Sequence, residues 1–458
     1  MYISIQIHQH DLKVTLYYLF LWFVARAIYK SHIARILKRS QADYFNEKEH
    51  ISIITMFELK SLVRPNILTL EPYRCARDDF KTGVLLDANE NTHGPALKDV
   101  SNEEETLELN RYPDPHQIDL KEQIIAIRNE KPNKFLKDYN QDKLTPENLC
   151  LGVGSDESID LLLRCVCVPG KDKLLICPPT YGMYSICATV NDVALTEVPL
   201  KYPSFQIDID GILNKVTKDS SIKLAYLTSP GNPTGKLLKV SDIVQLLESV
   251  ASKWNGLIVV DEAYIDFTEA EADTTSESMT TLVNQYPNLV VLQTLSKSFG
   301  LAGIRLGITY ANPELSKYLN AMKYPYNISS LTANVALRAT SIDSGLKIMS
   351  KYVSSIITQR NLLMNGLQKI DGVGRNIGGL DSNFVLVEIL DKNKEPSNET
   401  AKALYNKLAV SNEVVVRFRG NELNCTGALR ISVGTADENK ILLEKLQKCL
   451  QEVYNESS

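Results

Sequence analysis

Basic residues are not in excess: 50 lysines and arginines stand against 55 aspartates and glutamates in 458 residues. A nucleic-acid footprint normally needs a clear basic surplus, so none is expected. The eight cysteines (Cys75, Cys150, Cys165, Cys167, Cys177, Cys187, Cys425 and Cys449) form no paired CxxC spacing, and several lie in apolar runs. That argues against a zinc site or a disulfide framework and points to buried thiols in a reducing compartment. A membrane crossing needs about 20 apolar residues. The uncharged run Val14–Ala25 falls short of this, spanning only about 18 Å as a helix. No internal repeat is present, which excludes a solenoid. What remains is an ordinary globular mixture, 44% apolar and 23% charged. At this length it has material for roughly three units of domain size, or fewer large ones.

Residues 1–55 differ from the rest. They hold four of the six histidines and carry seven basic against four acidic residues. Arg26 and Lys30 follow the apolar run, and no small-residue cleavage site follows it, so a secretory signal fits poorly. The segment reads as an extension upstream of Met56, with a mitochondrial presequence or a short membrane anchor as alternatives. The body is expected in the cytoplasm.

From Met56 onward, strand-length apolar runs alternate with helical patterns, the signature of a mostly parallel sheet. Strands are expected at Leu174–Cys177, Leu224–Leu227, Leu257–Val260, Leu289–Gln293 and Arg305–Tyr310. A long helical stretch follows, from Thr332 to Lys369. Then come strands at Phe384–Glu388, Val414–Phe418 and Leu429–Val433, and a closing helix from Asp437 to Tyr454. The fold class is α/β: a large domain with a mostly parallel sheet, and a smaller C-terminal α+β domain. The expected division is residues 56–100 as an arm with part of the small domain, 101–330 as the large domain and 331–458 as the small one. Glu269–Ser278 and Asp391–Glu399 read as solvated loops.

Ligands of open α/β sheets bind beyond the carboxyl ends of the strands. Five strings fall there. LGVGSDESID (Leu151–Asp160) turns into a helix, so Ser155 and Asp156 sit where backbone N–H groups form an anion site; both are also ordinary capping residues. CPPTYGMYS offers the ring of Tyr181 as a stacking surface, or simply a core tyrosine. TSPGNPTG fixes Asn232 in a rigid Pro/Gly loop. VVDEAY places Asp261 after an apolar strand, with Tyr264 one helical turn on. TLSKSFGLAGIRLG places Lys297 at a sheet end, where a lysine can lose its proton and form a Schiff base. Ser296 and Arg305 lie near it for a phosphate. A lysine for an aldehyde, an acid for a ring nitrogen, donors for a ring oxygen, a stacking ring and an anion cradle together describe a site for pyridoxal 5′-phosphate. No metal is called for.

These strings, with LEPYRCARDDF, LLDANENTHGP, NRYPDPHQ, VVVRFRGNELNC and LRISVGT, resemble the fold-type I pyridoxal-phosphate aminotransferases. The similarity runs from about Met56 to Glu452 and is greatest to the histidinol-phosphate branch of fungal type. The resemblance implies that Lys297 is the Schiff-base lysine and that Asp261 pairs with the pyridine nitrogen. Asn232 and Tyr264 contact the ring oxygen, and Tyr181 stacks on the ring. Ser155, Asp156, Thr294, Ser296 and Arg305 surround the cofactor phosphate. Tyr112 reaches the neighbouring subunit's site, which implies a homodimer with shared active sites. Tyr73, Arg417, Arg430 and Asn232 meet the substrate, and Arg419 receives no role. Decarboxylases and aromatic aminotransferases of the same fold share the lysine, aspartate and phosphate cradle.

Overall fold

The strands form because their apolar runs can be buried on both faces. The computed structural model describes residues 57–79, 87–91, 93–98, 101–138, 142–268 and 276–456. The expectations for residues 1–55, and for most of the acidic Glu269–Ser278 loop, lie outside these. In chain order, β1 (Leu149–Val153) leads to α2 (Gly154–Val166), after α1 (Ile118–Glu130). Then β2 (Lys173–Ile176), α3 (Met183–Val190), β3 (Ala194–Glu197), α4 (Ile209–Lys218), β4 (Ile222–Thr228), α5 (Val240–Val250) and β5 (Leu257–Asp261) alternate. β6 (Leu289–Thr294) and β7 (Leu306–Tyr310) complete a seven-stranded sheet of order β1-β7-β6-β5-β4-β2-β3. β7 runs antiparallel to both its neighbours, and the remaining pairings are parallel.

Alternate residues of the central strands enter two different cores. Leu227, Val260 and Val291 join one, while Tyr226, Val259 and Leu292 join the other. This period of two, apolar on both sides, is what a parallel sheet covered by helices on each face requires. Each fully buried Val, Leu or Ile contributes about 1.5–3 kcal/mol, so the strand ends are held firmly. β4 and β5 are in register at Thr228 and Asp261, which brings two polar residues side by side at the carboxyl edge.

Beyond α6 (Pro313–Met322), the expected long helix is two: α7 (Ser330–Thr340) and α8 (Gly345–Leu367). The break falls at residues 341–344, where Ser341, Asp343 and Ser344 offer the backbone competing hydrogen bonds. Gly345 is required there, because a Cβ would stand 2.2 Å from the Ala339 carbonyl oxygen. The second sheet is antiparallel, of order β10-β11-β9-β8. It comprises β8 (Val373–Asn376), β9 (Phe384–Ile389), β10 (Arg417–Phe418) and β11 (Ala428–Ser432). With α9 (Asn398–Asn412) and α10 (Ala436–Glu456) it has its own core around Val387, Leu404, Ile431 and Leu446. Asn398 and Glu399, expected in a loop, open α9, where the Ser397 hydroxyl caps the Thr400 N–H at 3.2 Å.

Other expectations shift locally. Arg305 is no strand residue: it has a left-handed φ of +53° and β7 begins after it. The strand expected from Val414 contracts to Arg417–Phe418. β1, β3 and β8 were not anticipated. Seven of the cysteines are buried and free, whereas Cys75 is only half-buried. Among the described residues no helix is long and apolar enough to cross a membrane.

Candidate active site

The carboxyl ends of β4, β5 and β6 open into a cleft of about 250 Å³. Eleven of the anticipated residues line it: Ser155, Asp156, Tyr181, Asn232, Asp261, Tyr264, Thr294, Ser296, Lys297, Arg305 and Arg430.

Asp261, the last residue of β5, lies at 3% exposure. Its two described partners are neutral donors, the Tyr184 hydroxyl at 2.7 Å and the Ala263 N–H at 3.2 Å. Burial pushes its pKa up, and these donors pull it part of the way back. A carboxylate taken out of water in this way calls for a cation. Lys297 follows β6 in a tight turn, with its Nζ 5.6 Å from the centre of the Tyr264 ring. Burial, and then the charges of Arg430 and Arg305, hold its amine below the ordinary lysine value. An amine so placed is readily available as a nucleophile.

At one end of the cleft, α2 begins at Gly154, whose φ is +76°. Its lack of a Cβ is essential, since that atom would lie 2.5 Å from Arg305 Nη2. Arg305 lies 3.5 Å from Asp156 and donates to the Ala302 carbonyl at 3.3 Å; Asp156 also accepts the Tyr181 hydroxyl at 3.2 Å. Thr294 donates to the Leu306 carbonyl at 2.9 Å and accepts the Ser296 N–H at 3.2 Å. A guanidinium, two hydroxyls and a helix N-terminus converge here, a suitable receptor for a phosphate.

The other end is built by the small sheet. Arg430 Nη1 donates to Asn232 Oδ1 at 2.5 Å, and the guanidinium lies 5.2 Å from the centre of the Phe384 ring. The same ring meets Tyr264 edge-on at 5.2 Å. Burial raises the Tyr264 phenol, while Arg430 and a hydrogen bond from Asn232 oppose the rise.

Three anticipated residues are not in this cleft. Arg417 is exposed on β10, opposite Arg430 in the register. Tyr73 and Tyr112 are also exposed; both pack on Tyr326, at ring separations of 5.5 and 4.6 Å. Three others were missed. Tyr184 and Thr228 lie behind Asp261, with 2.9 Å between their hydroxyls. Tyr184 is one helical turn after Tyr181, and Thr228 ends β4, so spacing and strand end were available signals. Arg419 lines the cleft where Arg417 does not.

Beneath the site runs a buried polar network. Glu262 accepts from Ser278 Oγ and the Met279 N–H at 2.6 Å each, and from Gln293 Nε2 at 2.8 Å. Burial brings its pKa up to about 7. Arg128 donates to Gln293 at 2.9 Å and to Asp266 at 2.8 Å, and Asp266 accepts the Ser298 hydroxyl at 2.5 Å. The residue next to Lys297 is thereby tied to α1.

A buried carboxylate and an available lysine in one cleft at a parallel-sheet edge, with a guanidinium and hydroxyls at one end, are what an enzyme of the pyridoxal-phosphate class requires. The family model for aminotransferase class I and II matches residues 80–446. A histidinol-phosphate aminotransferase from Candida maltosa is 69% identical over 398 residues, covering 87% of this chain and all of that one. One from Saccharomyces cerevisiae is 51% identical over 405 residues, 88% of this chain and all of that one. The fold matches a Sinorhizobium meliloti histidinol-phosphate aminotransferase solved with pyridoxal 5′-phosphate. Its TM-score is 0.63 at 20% identity, covering 80% of this chain and 90% of that one. The chain belongs to the class I and II aminotransferases and, within them, to the family of histidinol-phosphate aminotransferases.

Proposed function

We propose that this enzyme transfers the amino group of L-histidinol phosphate to 2-oxoglutarate, yielding 3-(imidazol-4-yl)-2-oxopropyl phosphate and L-glutamate, with pyridoxal 5′-phosphate as cofactor. The observation that carries the reading is the pairing in one cleft of Lys297, its amine depressed by burial and two arginines, with Asp261, a buried carboxylate supplied among the described residues with neutral donors. When bound, the cofactor supplies a carbonyl carbon for amine exchange and a cationic ring that accepts electron density from the substrate.

Each side chain then has a definite task. Lys297 Nζ would hold the cofactor's carbonyl carbon and, once free, would carry the proton from the substrate Cα, as base and then as acid. Asp261, oriented by Tyr184, would keep the proton on the ring nitrogen. Asn232 and Tyr264 hold the ring oxygen, and Tyr181 covers the ring. Ser155, Asp156, Thr294, Ser296 and Arg305 hold the cofactor phosphate. Arg430 takes the anion that both substrates share in position, the phosphate of one and the α-carboxylate of the other, with Arg417 adding charge from the neighbouring strand. Tyr73 and Tyr112, exposed and outside this cleft, are assigned to the substrate and to a second subunit's site in a homodimer. Buried free thiols support a reducing, cytoplasmic setting.

The test is a panel of amino donors with 2-oxoglutarate, scored by glutamate release and by carbon dioxide. Histidinol phosphate is expected to be the best donor without gas evolution. Carbon dioxide release, or preference for an unphosphorylated aromatic amine, overturns the reading.

A further inference from the structure

Three strings of the sequence meet outside the cleft, at one carboxylate. The side chain of Glu90, in LLDANENTHGP, is only 4% exposed. Its Oε2 accepts from Arg77, 13 residues before it in LEPYRCARDDF. The same oxygen accepts from Arg111 Nη1 at 2.8 Å, 21 residues after it in NRYPDPHQ. Its Oε1 accepts the Tyr112 N–H at 2.7 Å. The Arg77 hydrogen bond, opposed by burial and helped by Arg111 and the Tyr112 N–H, holds this carboxyl down at about 2. Two further contacts tie the same segments. Asn110 Nδ2 donates to the Asn91 carbonyl at 2.9 Å, and His116 Nε2 lies 3.1 Å from Asp78 Oδ1. An exposed ion pair contributes little. A buried carboxylate that serves two guanidinium groups and a backbone N–H is a stronger anchor.

What Glu90 anchors is the root of an exposed ring. Tyr112 is 52% exposed. Its ring stacks on Tyr326 at 4.6 Å, and Tyr326 meets Tyr73 edge-on at 5.5 Å. A ring that reaches beyond its own subunit takes its direction from its main chain. On one side of Tyr112 that chain is restricted by Pro113, which disfavours the helical region for the residue before it. On the other, the Tyr112 N–H ends on the Glu90 carboxylate. Contacts between reacting or binding groups are sensitive to displacements of about 1 Å, so a fixed root matters.

We propose that Glu90 is a positioning residue for Tyr112: by holding Arg77, Arg111 and the Tyr112 N–H on one buried carboxylate, it sets the angle at which the Tyr112 ring enters the second subunit's cofactor site. This rests on the assignment of Tyr112 given under Proposed function.

The experiment is a double-mutant cycle between Glu90→Ala and Tyr112→Phe in the holoenzyme, with cofactor release followed by loss of its visible absorption. Each single variant should release the cofactor about 10-fold faster or more, the scale of a hydrogen bond to a charged group. In the Tyr112→Phe background, Glu90→Ala should add less than about twofold. Glu90→Gln keeps an acceptor for the Tyr112 N–H but loses the charge that pairs the arginines. It should fall between, and it serves if Glu90→Ala folds poorly. Arg74→Gln breaks an exposed ion pair with Asp79 in the same arm and should leave release unchanged. Full additivity of Glu90→Ala and Tyr112→Phe overturns the inference. So does equal acceleration by Arg74→Gln, or release that merely follows separation of the subunits in light scattering. Tyr112→Phe without effect sinks the assignment of Tyr112 and this inference with it. A coupled pair in an enzyme that prefers another donor sinks the proposed reaction and leaves the role of Glu90 standing.

Discussion

Replacing Tyr184 by Phe removes one oxygen from behind the site and changes little else. The Tyr184 ring is fully buried, stacked on Tyr226 at 4.8 Å, and Phe keeps that packing. What is lost is the hydroxyl that donates to Asp261 Oδ2 at 2.7 Å. Burial already raises the Asp261 pKa, and this hydrogen bond is the largest of the influences holding it down. A hydrogen bond to a charged group is worth about 1.5–3 kcal/mol, which is about one to two units of carboxyl pKa. Asp261 in the variant therefore holds its charge less well and keeps the ring-nitrogen proton less firmly. The expected result is a fall in kcat of about 10- to 100-fold, with the pH dependence of the visible absorption displaced and KM changed much less. Thr228, whose hydroxyl touches Tyr184 at 2.9 Å and Thr180 at 3.0 Å, can turn toward the carboxylate and hold the loss to the lower figure. Steady-state rates and a spectral titration of the purified holoenzyme decide the matter, with a melting curve to show that the fold is intact. A Tyr184→Phe enzyme with wild-type kcat and an unmoved titration would refute the assignment of Asp261 as the ring-nitrogen partner.

Two further outcomes follow from the same geometry. The Lys297 amine is depressed below 10.5 by burial, then by Arg430 and Arg305, so the folded apoenzyme sheds this proton before the unfolded chain does. Stability must then rise with pH across the window between the depressed value and 10.5, and the stability advantage of apo Lys297→Met over wild type should shrink across it; denaturant midpoints at several pH values check this, and a constant difference refutes it. Gly154→Ala places a Cβ at φ +76° and 2.5 Å from Arg305 Nη2. The backbone strain alone costs about 1–2 kcal/mol, and displacing the guanidinium should weaken cofactor affinity by about tenfold or more. Unchanged affinity in a fluorescence titration would count against Arg305 as a phosphate ligand.

The central strands were legible because burial on both faces leaves unbroken apolar runs, as in LIVV before Asp261. β3 was not, since Ala-Leu-Thr-Glu is an edge strand whose residues are largely exposed and carry no such run. The break between α7 and α8 was overlooked because helical periodicity resumes on both sides of it, although Ser-Ile-Asp-Ser-Gly carries the signal. Within the site, residues bound to a strand end or a Pro/Gly loop were found, because their position is set by the local chain. Tyr184 was missed because its role depends on Asp261, 77 residues away. Arg417 and Arg419 share one strand face by spacing alone. β10 stops at Phe418, however, so the two side chains part, and only the fold shows which one enters the cleft.

The two halves of the chemistry rest on different supports. Asp261, Thr294 and Lys297 come from adjoining strands of the large sheet, and the Arg128–Asp266–Ser298 chain ties the lysine turn to α1. Ground this rigid holds the carboxylate and the lysine turn in one geometry. Arg430 and Arg419 come instead from the small sheet. They meet the large one through the Arg430–Asn232 hydrogen bond and the Phe384 ring shared by Tyr264 and Arg430. Asn232 therefore stands between Tyr264 of the large sheet's edge and Arg430 of the small sheet, joined to both.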